Sequence, residues 1–445
     1  MREGSLEPPI RHPIQWQDAA YYDEALLDQE LRRQFDVCQS CRLCFNLCDS
    51  FPRLFNLIDA TESGEIKDVA SAGFGSVVDA CTLCDMCFMT KCPYVPPHEF
   101  NIDFPHLMLR YRAVEHQKGQ ISFAAQQLSE TDRNGKVAGV VAPLANWATD
   151  VSNSLTRPLM EKTLGVDRRA ALPPYQRKTF VQKAFDMPLP VNKDAPAYGR
   201  KVVLYATCFV NYNDARIGDA TRKVLAHNGV ETQVVYPQCC GMPQLEQGNL
   251  PKVAKKAEDV ALELKPWIEK GYDVVALVPS CALMLKFEWP LLCPENQEVK
   301  ALSQATFDVS EYIVDMAKKE GLTAGLNPLD GGVTLHLACH SRAQNMGPKG
   351  AQMLRLIPDA QVNVIERCSG HGGSWGVMKD HFDTALKVGK PVAKQIVDKA
   401  PAYVISECPL AATHIAQGVQ VLIPESTVKE TRHPVEILAQ AYGLL

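Results

Sequence analysis

The chain has 445 residues, 46% apolar and 22% charged, with a formal net charge of −5. That length suits roughly three globular domains, and the acidic balance leaves no electrostatic footprint for nucleic acid. The opening stretch MREGSLEPPIRHPIQW has no apolar core of the secretory kind, and no run approaches the roughly 18 apolar residues of a membrane span. A cytoplasmic protein is therefore expected. Sixteen cysteines without a secretory leader argue for soft metal ligation and against disulfides.

Residues 1–35 read as a polar, helix-prone arm. Residues 36–118 carry eight of the cysteines in two tight groups. CQSCRLCFNLC supplies Cys38, Cys41, Cys44 and Cys48, and CTLCDMCFMTKCP supplies Cys81, Cys84, Cys87 and Cys92. The spacing C-x2-C-x2-C-x3-C, then C-x2-C-x2-C-x4-C-P, is that of two-cluster ferredoxins. Three thiolates two residues apart wrap three corners of a cubane, and the fourth comes from the other group. One [4Fe-4S] cluster would then use Cys38, Cys41, Cys44 and Cys92, and the second Cys81, Cys84, Cys87 and Cys48. Structural zinc also accepts four cysteines, but it pairs two C-x2-C hooks and rarely takes three from one short loop. Two departures stand out: Asp49, not proline, follows the first group, and one extra residue precedes Cys92. The long interval between the groups predicts a helical insertion.

Residues 119–198 form a connector. Leu144, Trp147, Val151 and Leu155 make an apolar stripe at helical spacing, and Arg157 to Lys183 holds seven basic residues against two acidic ones. A solvated surface helix and a contact with an anionic membrane face are the two readings of this stretch.

Residues 199–445 contain an internal repeat, 199–325 and 326–445. KVVLYATC and GVTLHLAC end in Cys208 and Cys339. TQVVYPQC and VNVIERC end in Cys239 and Cys368. DVVALVPSC and AYVISEC end in Cys281 and Cys408. Near-continuous apolar strands alternating with helical patterns predict parallel α/β units, with the cysteines at the carboxyl ends of the strands, where such sheets place ligands. The fold class is thus α+β and multidomain: an α-helical two-cluster ferredoxin domain, then two pseudo-twofold-related α/β cysteine-rich repeats. Copy one offers Cys208, Cys239, Cys240 and Cys281 for a cluster, and Gly241 gives the paired cysteines a sharp turn. Copy two offers Cys339, Cys368 and Cys408 and has Ser369 where copy one has Cys240. That site is either empty, or holds a non-standard cluster: a cubane with His340, His371, Ser369 or solvent at the open iron, or a three-iron cluster. His340, Ser369 and His371 are the catalytic candidates, with His336 a further candidate by position. Cys293 has no counterpart and reads as packing. GFGSVVD at Gly73 follows no strand and lacks the third glycine of a dinucleotide fingerprint, so no flavin or NAD is expected in this chain.

TCFVNYND, CCGMP, ACHSRAQNMG, CSGHGGSWG and HPVEILAQAYG together resemble the cysteine-rich repeat domains of heterodisulfide reductase B-type proteins and of the iron–sulfur C subunit of anaerobic glycerol-3-phosphate dehydrogenase. The connector pieces VVAPLANWATDVSNS and DRRAALPPY extend the resemblance over nearly all of the chain after residue 36. The resemblance implies an iron–sulfur subunit of an oxidoreductase, of the kind used in anaerobic respiration. Its partner would be a flavin-containing dehydrogenase or other redox protein, its acceptor quinone, and its place the cytoplasm or the inner face of the cell membrane. The alternative it implies is a catalytic subunit acting on a disulfide, thiol or peroxide-linked substrate. Full repeats of that kind carry a fifth cysteine. Here Met284 replaces it in copy one, while Ser369 and Ala411 leave copy two short of two, which favours electron transfer.

Overall fold

The computed structural model describes residues 9–426, 428 and 431–445. It is helix-rich, with two small parallel sheets. The first sheet has strands β1 (Lys201–Tyr205), β2 (Glu231–Val235), β3 (Asp273–Ala276) and β4 (Thr306–Asp308), ordered β2-β1-β3-β4. The second has β5 (Val333–His336), β6 (Val362–Ile365) and β7 (Tyr403–Ser406), ordered β6-β5-β7. In each repeat the first strand lies between the second and the third, and every pairing is parallel. The apolar runs explain the central positions. Val202, Val203, Leu204 and Tyr205 of β1 are fully buried, as a strand covered on both faces by helices requires.

The segment before the sheets is helical. One helix, Glu24–Cys41, crosses the boundary expected at residue 35 and delivers the first cysteines. The interval between the cysteine groups folds into helices Ser50–Asp59 and Phe74–Asp79, and helix Phe104–Gln117 follows. Phe35, Phe51, Phe55, Phe74, Leu54, Ile58 and Met108 pack as a buried core continuous with that of the first sheet.

The described part of the arm does not stand off the molecule. Ile14 N–H donates to the Leu291 carbonyl at 2.9 Å and the Trp16 indole to the Leu292 carbonyl at 2.8 Å. Arg11 reaches Asp85, Asp103 and Glu288 at 2.8–3.1 Å.

The connector differs from its sequence reading in two ways. Its apolar stripe is not on one helix: Ala142–Thr149 ends at extended Asp150, and the next helix starts at Thr156. Asp150 accepts from the Ser152 N–H at 2.8 Å, a local turn that competes with the helix. Leu144, Trp147, Val151 and Leu155 are nevertheless all more than half exposed. The basic run is also largely spent internally. Arg157 is buried and donates to the carbonyls of Asp167, Arg168 and Ala170. Arg168 pairs with Glu161, Arg169 with Asp167 and Asp383, and Lys178 with Asp186.

Candidate metal centres

Cys38 and Cys41 lie three residues apart on the last turn of helix Glu24–Cys41, hence on one face. Left-handed Arg42 (φ 51°) then turns the chain so that Cys44 returns. Cys38, Cys41, Cys44 and Cys92 line one small cavity with Phe51, Phe55 and Tyr94. Burial lifts the Cys38 thiol well above its usual value, and Cys92, Cys44 and Cys41 push it further.

The second set contains Cys48, Cys81, Cys84 and Cys87. Burial raises the Cys87 thiol, followed by Cys84, Cys81, Cys48 and Cys44. The residue inserted before Cys92 has a local explanation. Cys87–Lys91 is a single π-helical turn, closed by the Cys92 N–H on the Cys87 carbonyl at 2.8 Å. A π turn absorbs one extra residue, so C-x4-C returns Cys92 to the first set.

In repeat one, Thr207 takes φ 57° between β1 and the helix that Cys208 opens, an unfavourable conformation for a β-branched residue. Gly241 (φ 86°) makes the turn after Cys239-Cys240. Cys208 and Cys239 sulfurs are 3.7 Å apart; Cys239 also touches Cys240, and Cys240 touches Cys281. Residues from elsewhere complete the surroundings. Asp132 accepts from the Cys239 N–H at 3.1 Å and pairs with the nearly buried Lys256 at 2.9 Å. The Thr131 hydroxyl stands against the Cys208 and Cys239 sulfurs. Cys293 lies apart from this set, buried against the Ala254 carbonyl.

In repeat two, Cys339 opens a helix after β5 and Cys408 caps helix Pro409–Leu422. Cys368 lies in the glycine-rich loop after β6, where the Gly370 N–H points at its sulfur, 3.4 Å away. This loop is wedged in place. A Cβ on Gly370 would fall 2.0 Å from the Ala385 carbonyl oxygen, on Gly372 2.5 Å from Thr82, and on Gly373 2.6 Å from Glu246. The loop thus touches the second cysteine group, repeat one and its own helix. Ser369 is buried, and its hydroxyl accepts from the His371 N–H at 3.5 Å. His336 is held through both ring nitrogens, by the Ser406 hydroxyl and the Arg367 carbonyl at 3.0 Å each, which marks it as structural. The His340 ring addresses the Leu83 carbonyl at 3.4 Å.

A cavity of about 1280 Å³ joins these parts. Cys48, Cys84, all four repeat-one cysteines, Cys339, Cys368 and Cys408 open onto it, with His340, Ser369, His371, His414 and Glu246. The electrostatic neighbours of the thiols form a sequence around it. Cys87 feels Cys44, Cys84 and Cys48 feel Cys368, Cys339 feels Cys84, and Cys408 feels Cys281. By these neighbours the repeat-two cysteines, and not those of repeat one, come next to the N-terminal cysteines, a placement that the repeat pattern alone does not predict.

These residues fit iron–sulfur clusters on their own chemistry. All sixteen cysteines are free thiols. Fifteen gather in four sets, and at Cys38, Cys87 and Cys339 burial and neighbouring sulfurs disfavour the thiolate unless a cation is present. Among the described residues, no three His, Cys, Asp or Glu side chains converge on a single metal ion. Sequence reasoning missed Asp132, Lys256, Glu246 and His414. The signal for Lys256 is a lysine inside the apolar stripe Val253, Ala257, Val260 of helix Leu250–Glu269. Glu246 carries no such mark; burial lifts its carboxyl to about 7, against the opposing pull of Arg112.

Comparison with known proteins agrees with the repeat. The model of the cysteine-rich domain, CCG, matches residues 202–286 and 333–416. The C subunit of anaerobic glycerol-3-phosphate dehydrogenase from Escherichia coli K12 is 29% identical over 317 residues, 71% of this chain and 76% of that protein. Lactate utilization protein A of Geobacillus kaustophilus is 31% identical over 212 residues, 45% of this chain and 80% of that protein. The corresponding protein of Bacillus pumilus is 28% identical over 208 residues. With two cysteine-rich domains and relatives covered over most of their length, the chain belongs to the family of paired cysteine-rich (CCG) domain proteins that includes these two kinds of protein.

Proposed function

We propose that the chain is an iron–sulfur electron-transfer subunit of an oxidoreductase, accepting electrons from a flavoprotein dehydrogenase and passing them to quinone or another acceptor. The observation that carries this reading is the unbroken sequence of four thiol sets, from the small N-terminal cavity to repeat one. Cys38, Cys41, Cys44 and Cys92 hold one cluster in a ferredoxin-like domain, and Cys48, Cys81, Cys84 and Cys87 the next. Cys208, Cys239, Cys240 and Cys281 hold a third, and Cys339, Cys368 and Cys408 bind at the fourth position. When bound, such clusters supply one-electron transfer. The buried Lys256 ammonium, beside Cys239 and Cys240, favours added negative charge in the repeat-one set. The similarity to a glycerol-3-phosphate dehydrogenase subunit supports a dehydrogenase partner. The exposed Leu144, Trp147, Leu155 and Leu159 give the connector an apolar face for peripheral membrane contact. Among the described residues no helix is long and apolar enough to cross a membrane.

Iron and sulfide analysis with EPR on anaerobically purified protein tests the reading. Three or four clusters, each lost with its own Cys→Ser variant, are expected. Two clusters, both untouched by Cys240→Ser and Cys368→Ser, would overturn the assignment of the repeats. Sedimentation with anionic vesicles tests the membrane contact, and absence of binding with and without the partner would remove it. A catalytic reading has one observation in its favour: Cys368 is an exposed residue that lines a cavity large enough for a small substrate. Under that reading a disulfide or thiol shifts the EPR signal of the repeat-two site, and Ser369→Cys suppresses the shift.

A further inference from the structure

The repeat-two set is one thiolate short of its repeat-one counterpart, because Ser369 replaces the second paired cysteine. The space beside that serine holds an imidazole. His414 lies on helix Pro409–Leu422, is only 5% exposed and faces the same cavity as Cys339, Cys368 and Cys408. Its Nε2 is buried and has no hydrogen-bond partner. Its ring lies against the Ala385 carbonyl, and with Nε2 unpartnered the nitrogen that serves that carbonyl is Nδ1. This is the arrangement of a metal-binding histidine: one ring N–H fixed by a carbonyl, the opposite lone pair free.

Two further observations associate it with the lost ligand. Ser369 and His414 meet at Gly389: a Cβ there would lie 2.3 Å from the Ser369 carbonyl oxygen and 3.7 Å from His414 Cδ2. The glycine lets the Ser369 main chain and the His414 ring pack at the same spot on helix Phe382–Lys399. The repeat also aligns the two sites. His414 is six residues beyond Cys408, and six beyond Cys281 is Phe287, a non-ligand in the copy that keeps all four thiols. The lost thiolate and the gained imidazole thus fall in the same copy.

We propose that His414, through Nε2, is the fourth protein ligand of the repeat-two cluster, giving it three thiolates and one imidazole. The proposal rests on the reading that repeat two holds a cluster. His371 competes for the role. Its Nε2 is also without a partner, and its ring is 6.2 Å from that of His414, but it sits less buried in the glycine-rich loop.

The test uses the full chain, purified anaerobically and reconstituted with iron and sulfide, with and without 15N-histidine. Pulsed EPR is expected to show an imidazole nitrogen coupling on one cluster. The coupling changes with the isotope, persists in His371→Ala and is lost in His414→Ala. His414→Cys keeps the full iron count without the coupling, which separates ligand exchange from misfolding; iron bound by the eight N-terminal cysteines serves as a folding control. A coupling that survives His414→Ala, or vanishes only in His371→Ala, overturns the assignment. If Cys339→Ser with Cys368→Ser removes no iron, the underlying reading fails. If that pair removes a cluster but the wild type shows no nitrogen coupling, the histidine assignment alone fails.

Discussion

At the residue scale the glycine-rich loop shows what a lost ligand does and does not imply. In SGHGGSWG, Gly370, Gly372 and Gly373 are pressed against other parts of the protein and Gly376 against the loop's own His371 carbonyl, whatever the loop binds. Gly370 combines φ 80° with a Cβ position 2.0 Å from the Ala385 carbonyl oxygen. Gly370→Ala should therefore cost about 2–4 kcal/mol, from positive-φ strain plus overlap with backbone that cannot yield. Gly418→Ala is the contrast: it lies inside helix Pro409–Leu422, and its added methyl would meet Ala393 at an ordinary 3.5 Å. That change should gain up to about 1 kcal/mol from helix propensity. Thermal midpoints of the two variants, measured on protein prepared alike, should move in opposite directions.

At the scale of elements, the arm is a strap that ties repeat one to the N-terminal cysteines. Arg11 sits among Asp85, Asp103 and Glu288, with His106 bridging Asp103 and Glu288 at 3.4 and 3.1 Å. Burial opposes charge on Asp103, but Arg11 and His106 outweigh it and hold the carboxyl low. Glu288 is held low in the same way, by His106 and Arg11 against burial. For His106, burial and Arg11 are outweighed by Asp103 and Glu288, and its pKa is raised. Removing the cation while leaving the buried carboxylates, as in Arg11→Met, should cost about 3–5 kcal/mol. The carboxylates stabilise the fold above their unfolded pKa values near 4, and that contribution fades as pH falls through their lower folded values. The His106 contribution is complete below its unfolded value near 6.5 and fades as pH rises through its higher folded value. Native stability should therefore be best supported by this cluster between about pH 4.5 and 6.5. A midpoint difference between wild type and Arg11→Met that is independent of pH would contradict the account. None of this cluster is legible in sequence, because Arg11 and Glu288 are 277 residues apart and pair through tertiary structure alone. The repeats are legible because strand, cysteine and helix recur in fixed order. The cysteine spacing is legible because ligands must return to one point. The connector stripe misleads, since helical spacing continues past Asp150 where the backbone does not. Likewise a count of basic residues cannot reveal that Arg157 faces inward onto carbonyls.

At the scale of the whole molecule, the order of the thiol sets in space differs from their order in sequence. The repeat-two cysteines come last in the chain, but their thiol neighbours are the N-terminal cysteines on one side and repeat one on the other. Burial pushes the Cys84 thiol to about 12, and Cys368 is the largest electrostatic contributor to that rise. At the far side, Cys408 feels Cys281. The glycine-rich loop enforces this order mechanically, with Gly372 against Thr82 and Gly373 against Glu246. On the proposed function, an electron entering at Cys38–Cys92 reaches repeat one by way of Cys339, Cys368 and Cys408. Cys339→Ser with Cys368→Ser should then leave the N-terminal eight cysteines loaded and reducible at the wild-type rate. Reduction at Cys208, Cys239, Cys240 and Cys281 should slow at least about tenfold, equivalent to 1.4 kcal/mol or more in the barrier. The measurement is freeze-quench EPR after mixing with a reduced flavoprotein, a donor too large to enter the cavity. An unchanged rate at repeat one would mean that electrons bypass repeat two, and that its cysteines serve a site of their own.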